Sequence, residues 1–213
     1  MRLVFLGPPG AGKGTQAVRL AEKLGVPHIS TGAILRDAIE RGTPTGLEAK
    51  SYVENGQLVP SDVVLRLVRD RLSEPDAAEG WILDGYPRNL DQAEAFAAIT
   101  EELSAPLDRV VYIEVADDSV VKRLSGRRQC RTCDRIYHIE YSPPEGGRCG
   151  DHEADLYQRA DDTEEAIRQR LAVYRGETEP LVAHYAGTGQ LLKINGAQQV
   201  DDVYASIEQG LGS

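Results

Sequence analysis

Residues Gly7-Pro8-Pro9-Gly10-Ala11-Gly12-Lys13-Gly14-Thr15 follow directly on the apolar run Leu3-Val4-Phe5-Leu6 and lead into a segment where Ala17, Leu20, Ala21 and Leu24 recur at helical spacing. A glycine-rich loop between a buried strand and an amphipathic helix lets consecutive backbone N–H groups face a phosphate, and the helix N-terminus adds partial positive charge. Lys13 supplies a mobile ammonium and Thr15 a hydroxyl suited to a phosphate-bound Mg²⁺. Gly10, Ala11, Gly12, Lys13, Gly14 and Thr15 are therefore the expected phosphate-binding residues. A glycine turn without a ligand is the competing reading, and the strand before the loop and the helix after it weigh against that.

Outward from this loop, apolar runs alternate with amphipathic helices. Strands are predicted at Leu3–Leu6, His28–Ile29, Trp81–Leu83, Val110–Val115 and Leu191–Ile194. Helical spacing predicts helices over 14–24, 33–40, 46–54 (stopped by Asn55-Gly56), 62–72 (capped by Ser61), 91–99, 118–124, 163–185 with an interruption at Pro180, and 200–211. Such alternation implies an α/β fold, a parallel five-stranded sheet flanked by helices. Residues 129–158 break the rhythm, with three cysteines, Pro143-Pro144 and glycines at 146, 147 and 150, and read as a small insertion.

The chain has 213 residues, 41% apolar and 27% charged, enough for one core with insertions. Its formal net charge is −10, which excludes binding nucleic-acid polymers or anionic lipid through the overall field. The apolar start is too short for a signal peptide, and no stretch approaches the ~20 apolar residues of a membrane span. A cytoplasmic location follows, and three cysteines in a reducing compartment point to metal or inert thiols. Cys130-x₂-Cys133 and Cys149-x₂-His152 repeat a two-ligand spacing that fits the closed Cys₃His site of one structural Zn²⁺. Asp151 and Asp155 compete with His152 for the fourth position, and imidazole is the better zinc donor at neutral pH.

Gly14 separates Lys13 from Thr15, and this Lys-Gly-Thr form resembles the nucleoside monophosphate kinases. The resemblance continues through Ser30-Thr31-Gly32 with Leu35-Arg36, Asp84-Gly85-Tyr86-Pro87-Arg88 with Gln92, Gly126-Arg127-Arg128, and Arg159-Ala160-Asp161-Asp162 with Arg170. Five motifs in order, over nearly the whole chain, resemble the long-lid bacterial adenylate kinases. The resemblance implies reversible Mg²⁺-dependent phosphoryl transfer from ATP to AMP, giving two ADP, by a monomer that binds neither nucleic acid nor membrane. It implies a core of residues 1–29, 60–125 and 164–213, a monophosphate-binding insertion at 30–59 and a zinc-bearing lid at 126–163.

Phosphoryl transfer needs two polyanions held in line with their charge neutralised, and arginine's planar fork suits that task. The resemblance places Lys13, Arg88, Arg123, Arg159 and Arg170 at the transferring phosphates, and Arg127, Ile136, Tyr137 and Gln198 with the loop on ATP. It places Thr31, Arg36, Gln57, Leu58, Val59, Gly85, Tyr86, Pro87, Arg88, Gln92, Arg159 and Arg170 on AMP. Asp84 organises Mg²⁺ through waters, and Asp161 helps fix the closed lid. Asp162, where a helix begins, reads equally as a cap. Position 33 departs from the family, which carries aspartate where this chain has Ala33, so metal organisation rests more heavily on Asp84. Any one arginine reads as well as a solvated surface charge. Thr31 and Gln92 favour adenine, with a UMP/CMP kinase as the alternative. A nucleotide-binding switch needs no second set of phosphate arginines, and a zinc-ribbon nucleic-acid binder is disfavoured by the acidic balance. His28, His138 and His184 receive no role, and Trp81 is assigned to the core.

Overall fold

The apolar runs become parallel strands: β1 (Arg2–Leu6), β2 (His28–Ser30), β3 (Trp81–Asp84), β4 (Arg109–Glu114) and, after three short strands of the insertion, β8 (Leu191–Asn195). Their order across the sheet is β2-β3-β1-β4-β8. In this computed structural model residues 1–133, 135–152 and 154–212 are described; Asp134 and Glu153 of the expected lid range and Ser213 of the expected core range lie outside the described residues. Because side chains alternate along a strand, Leu3 and Phe5 pack on one face with Leu20, Ile82, Val111 and Ile113. Val4 and Leu6 pack on the other with Trp81, Leu83, Phe96 and Val110. Both faces are covered by helices, as an all-parallel sheet requires. Trp81 is fully buried, its ring edge-on to Phe96.

Helices α1 (Lys13–Leu24), α2 (Thr31–Glu40), α3 (Pro44–Glu54), α4 (Ser61–Leu72), α5 (Leu90–Glu102) and α6 (Asp117–Ser125) follow the predicted apolar spacing, with ends one to three residues longer. Ser30, Thr43 and Asn89 cap α2, α3 and α5 by accepting backbone N–H bonds. Ser61 is no cap. It is the first residue of α4, behind Pro60, and its hydroxyl accepts instead from the Gln92 amide at 3.1 Å.

The long helix predicted over 163–185 is three pieces: α7 (Glu164–Val173), a π-helical turn (Tyr174–Thr178) and α8 (Pro180–Gly187). Pro180 has no N–H to continue the ladder, and it falls at the first turn of α8, where none is needed. The widened turn ahead of it is closed by Glu179 N–H donating to the Tyr174 carbonyl. The final helix, α9 (Val200–Leu211), matches its expected span.

The aperiodic insertion forms an antiparallel sheet of β5 (Arg127–Cys130), β6 (Ile136–His138) and β7 (Leu156–Tyr157), in the order β6-β5-β7. Strands of two to four residues are too short to carry an alternation that a sequence reading can detect.

Candidate active site

β1 lies between β3 and β4, so the loop leaving its carboxyl end opens at a topological switch point, where open α/β sheets bind ligands. Gly12 holds the turn into α1 with φ +95°, which a side chain would strain. The Lys13 ammonium donates to the Gly7 and Pro8 carbonyls at 2.8 and 2.9 Å. Burial lowers its pKa to about 8, against the pull of Asp84 and together with repulsion from Arg88, Arg170 and Arg127. Arg123, on α6, donates to the Gly196 carbonyl at 2.8 Å and reaches the Ala11 carbonyl at 3.5 Å, tying the loop to the end of β8.

Facing the loop, Arg88, Arg127, Arg159 and Arg170 gather around two carboxylates. Arg127 grips Asp162 with both fork nitrogens, at 2.7 and 2.5 Å. Arg159 grips Asp161 likewise, with one contact at 2.8 Å. Arg170 reaches both, at 3.1 Å to Asp161 and 3.3 Å to Asp162. Burial alone would raise the Asp161 carboxyl, but Arg170 and Arg159 outweigh it and hold the group well below the usual carboxylate range. Burial lowers Arg170 to about 10 and also lowers Arg88. With two more arginines than aspartates and Lys13 alongside, the cluster keeps an unbalanced positive charge. That excess is what a polyphosphate neutralises.

A cleft opens beside the cluster. Thr31, Arg36, Gln57, Leu58, Val59, Gly85, Arg88, Gln92, Arg159 and Arg170, all expected at a monophosphate site, line it. Leu35, of the Leu35-Arg36 motif, and Asp161, expected at the lid, line it too; the apolar Val53 and Val64 were not foreseen. Gly85 has φ +88°, and a Cβ there would lie 2.7 Å from the Thr31 hydroxyl oxygen, so only glycine leaves this wall open. Tyr86 and Pro87 do not line the cleft. The Tyr86 ring is buried edge-on to Phe96, and its hydroxyl donates to the Gln92 carbonyl at 3.2 Å.

Arg88 is held from several sides. Its backbone N–H donates to Gln92 Oε1 (2.8 Å), its Nε to the Gly85 carbonyl (2.7 Å), and its carbonyl accepts from Thr178 Oγ1 (2.7 Å). Thr178 belongs to the π-helical turn, whose irregularity thus serves the site. The Gln92 amide is already engaged with Arg88 and Ser61, leaving one N–H and one lone pair for any ligand. Asp162 is not a helix cap: Thr163 caps α7, and the Asp162 side chain is fully buried between Arg127 and Arg170.

Ile136 is exposed on β6, and Gln198 is exposed beyond β8. The Tyr137 hydroxyl accepts from Gly150 N–H and donates to Cys149 Sγ at 3.4 Å, so its ring serves the cysteine cluster. Cys130, Cys133, Cys149 and His152 bring their ligand atoms within 4.8 Å of one another. Cys133 Sγ and Cys149 Sγ are 3.7 Å apart, too far for a disulfide and close to the ~3.8 Å that two 2.3 Å bonds to one tetrahedral Zn²⁺ imply. His152 Nδ1 lies 3.8 Å from Cys149 Sγ, whereas Asp151 pairs with Arg135 and Asp155 with Arg148. The four side chains fit a structural zinc ion. For Mg²⁺, the Asp84 carboxylate is an oxygen donor close to the loop: a Cβ on Gly14 would lie 3.4 Å from its Oδ2.

The family profile described as adenylate kinase matches residues 5–190. An adenylate kinase of Thermodesulfovibrio yellowstonii is 51% identical over 208 residues, 97% of each chain. Those of Archaeoglobus fulgidus (48%, over 98% of this chain and 96% of the relative) and Bacillus subtilis (47%, over 100% and 98%) are similar along their whole length. Among the described residues no helix is long and apolar enough to cross a membrane. With the loop, the two-sided arginine cluster and identity near one half from end to end, the chain belongs to the adenylate kinase family.

Proposed function

We propose that the two halves of the arginine cluster divide the reaction between two nucleotides, MgATP on the Gly10–Thr15 loop and AMP in the cleft of Thr31, Arg36, Gly85 and Arg88. As a member of its family the chain is an ATP:AMP phosphotransferase, a nucleoside monophosphate kinase. The observation that carries the division is that Arg88 and Arg170, which line the cleft together with Arg159, also stand close enough to Lys13 to repel its ammonium. Lys13 and Arg123 neutralise the donor's phosphates, Arg127 covers ATP, and Arg36 and Arg88 orient the acceptor phosphate. Arg159 and Arg170 touch the group in transit. The acceptor is already an anion, so no protein base is needed; positioning and charge stabilisation do the work.

Ile136, Tyr137 and Gln198 offer backbone groups to the ATP base, and Gln57, Leu58 and Val59 do so for AMP. Asp84 orients waters of the Mg²⁺ that ATP carries; bound there, the ion draws charge from the phosphate oxygens. Residues 30–59 and 126–163 close over the remaining core, and the ion pairs of Arg170 with Asp161 and Asp162, which join the lid range to the core, fix the closed arrangement. Closure excludes water and spares ATP from hydrolysis. The uncrosslinked cysteines suit a cytoplasmic protein, and one copy of the chain holds both nucleotides, consistent with a monomer.

With ATP and Mg²⁺, AMP is phosphorylated at least about 100-fold more efficiently (kcat/KM) than CMP or UMP, a site built to hydrogen-bond one base edge being poor for another. Chromatography of the diphosphates formed from each acceptor tests this. Equal efficiency with a pyrimidine monophosphate overturns the acceptor assignment.

One Zn²⁺ per chain on Cys130, Cys133, Cys149 and His152 stabilises the inserted sheet, which has few apolar residues to bury. Cys149→Ser releases the metal and lowers Tm by roughly 5–10 °C, taking a loss of about 2–3 kcal/mol at this chain length. Elemental analysis with thermal melts shows His152→Ala weakening the site more than Asp151→Ala; the reverse order moves the fourth ligand to Asp151.

A further inference from the structure

Gln92, in the first turn of α5, is held at four points. Its backbone N–H donates to Asn89 Oδ1 at 3.0 Å, and its carbonyl accepts from the Tyr86 hydroxyl at 3.2 Å. Its side chain is buried against the cleft wall and held at both ends of the amide. Oε1 accepts from the Arg88 N–H at 2.8 Å, and Nε2 donates to Ser61 Oγ at 3.1 Å.

A main-chain N–H can only donate, so the amide atom that faces Arg88 has to be the oxygen. The amide nitrogen then faces Ser61, whose hydroxyl accepts. Turned over, the amide would set its NH₂ against the Arg88 N–H, two donors with no acceptor between them. The Arg88 main chain cannot easily move aside, because its carbonyl accepts from Thr178 Oγ1. One bond leaves an amide free to pivot about it; a bond at each end fixes its plane as well.

The amide sites left over are one Oε1 lone pair and one Nε2–H. A 6-aminopurine carries the complement on its edge, an amino N–H donor beside a ring-nitrogen acceptor. A 6-oxopurine carries the reverse, a carbonyl beside a ring N–H, and meets like with like at both positions. We propose that Ser61 is a specificity-determining residue that, with the Arg88 main chain, locks the Gln92 amide one way round and so excludes 6-oxopurine monophosphates from the cleft. Ser61 acts on the base only through Gln92, which makes it a positioning residue. The inference rests on the placing of AMP in this cleft, proposed above.

The test compares kcat/KM for AMP and for IMP, each with MgATP, in the parent chain and in Ser61→Ala, Ser61→Thr and Gln92→Leu, by chromatography of the diphosphates formed. Ser61→Ala lowers the preference for AMP over IMP about fivefold, through a loss on AMP alone, and leaves KM for ATP unchanged. The loss is modest because Ser61 is exposed and water replaces part of the bond. Ser61→Thr, which keeps the hydroxyl, keeps the preference. Gln92→Leu removes most of it, a site that hydrogen-bonds one edge being the source of the discrimination. If Gln92→Leu collapses the preference and Ser61→Ala leaves it intact, or lowers AMP and IMP equally, this inference is overturned and the AMP assignment stands. If Gln92→Leu leaves the preference unchanged, the base does not lie against Gln92, and the placing of AMP fails together with the inference.

Discussion

Lys13→Met lowers kcat/KM for ATP and AMP by about 10³-fold or more, which corresponds to roughly 4 kcal/mol of lost transition-state stabilisation. Methionine keeps an unbranched stem of similar reach, so the loop's packing survives and only the charge and its hydrogen bonds disappear. The ammonium donates to the Gly7 and Pro8 carbonyls, so methionine forfeits both of those bonds as well. The native pKa of about 8 adds a second readout. Bound triphosphate favours the charged ammonium and raises that value, so near pH 8–9 ATP binding takes up a proton and affinity falls as pH rises. The sign for folding is the opposite. The unfolded chain, at the ordinary lysine value near 10.5, holds more protons than the native one between about pH 8 and 10.5, so this group's contribution to stability rises with pH across that window. Calorimetry in buffers of different ionisation enthalpy detects the proton uptake, and in Lys13→Met it vanishes. Turnover within tenfold of the parent protein, in a folded variant, would show that the triphosphate does not lie on this loop.

Arg88→Ala costs about 10²–10⁴-fold in kcat/KM for AMP, in the range seen when a single charge-stabilising donor or arginine is removed from a transition state. Its backbone and Nε are committed to Gln92, Thr178 and Gly85, which aim the free end of the fork into the cleft. The alanine variant leaves the backbone bonds to Gln92 and Thr178 intact, so Tm moves by only a few degrees. Arg88→Lys restores charge but not the fork, and recovers little. ATP affinity, measured alone, is unchanged. A rise in KM for ATP equal to that for AMP would mean that Arg88 serves the donor.

The loop from Gly7 to Thr15 and the runs around it are enough to imply an α/β fold, because period, glycine placement and strand length are local properties. The same holds for the doubled x₂ spacing of the cysteine cluster, where four ligands in two tight turns are visible in the chain itself. What stayed hidden is set by partners far away in sequence. Asp162 reads equally as a helix cap because it precedes α7, yet Arg127, 35 residues earlier, turns it inward and Thr163 takes the cap. Ser61 was expected to cap α4 and instead meets Gln92, 31 residues on. Thr178 reaches Arg88 across 90 residues, through a π-helical turn that no periodicity announces.

The most direct measurement supplies ADP and Mg²⁺ and nothing else, and follows the phosphorus resonances to equilibrium. An enzyme with two nucleotide sites facing one arginine cluster converts ADP into equal amounts of ATP and AMP and releases no orthophosphate. Orthophosphate in place of AMP-matched ATP, or ADP left unchanged by folded protein, would contradict the two-site account.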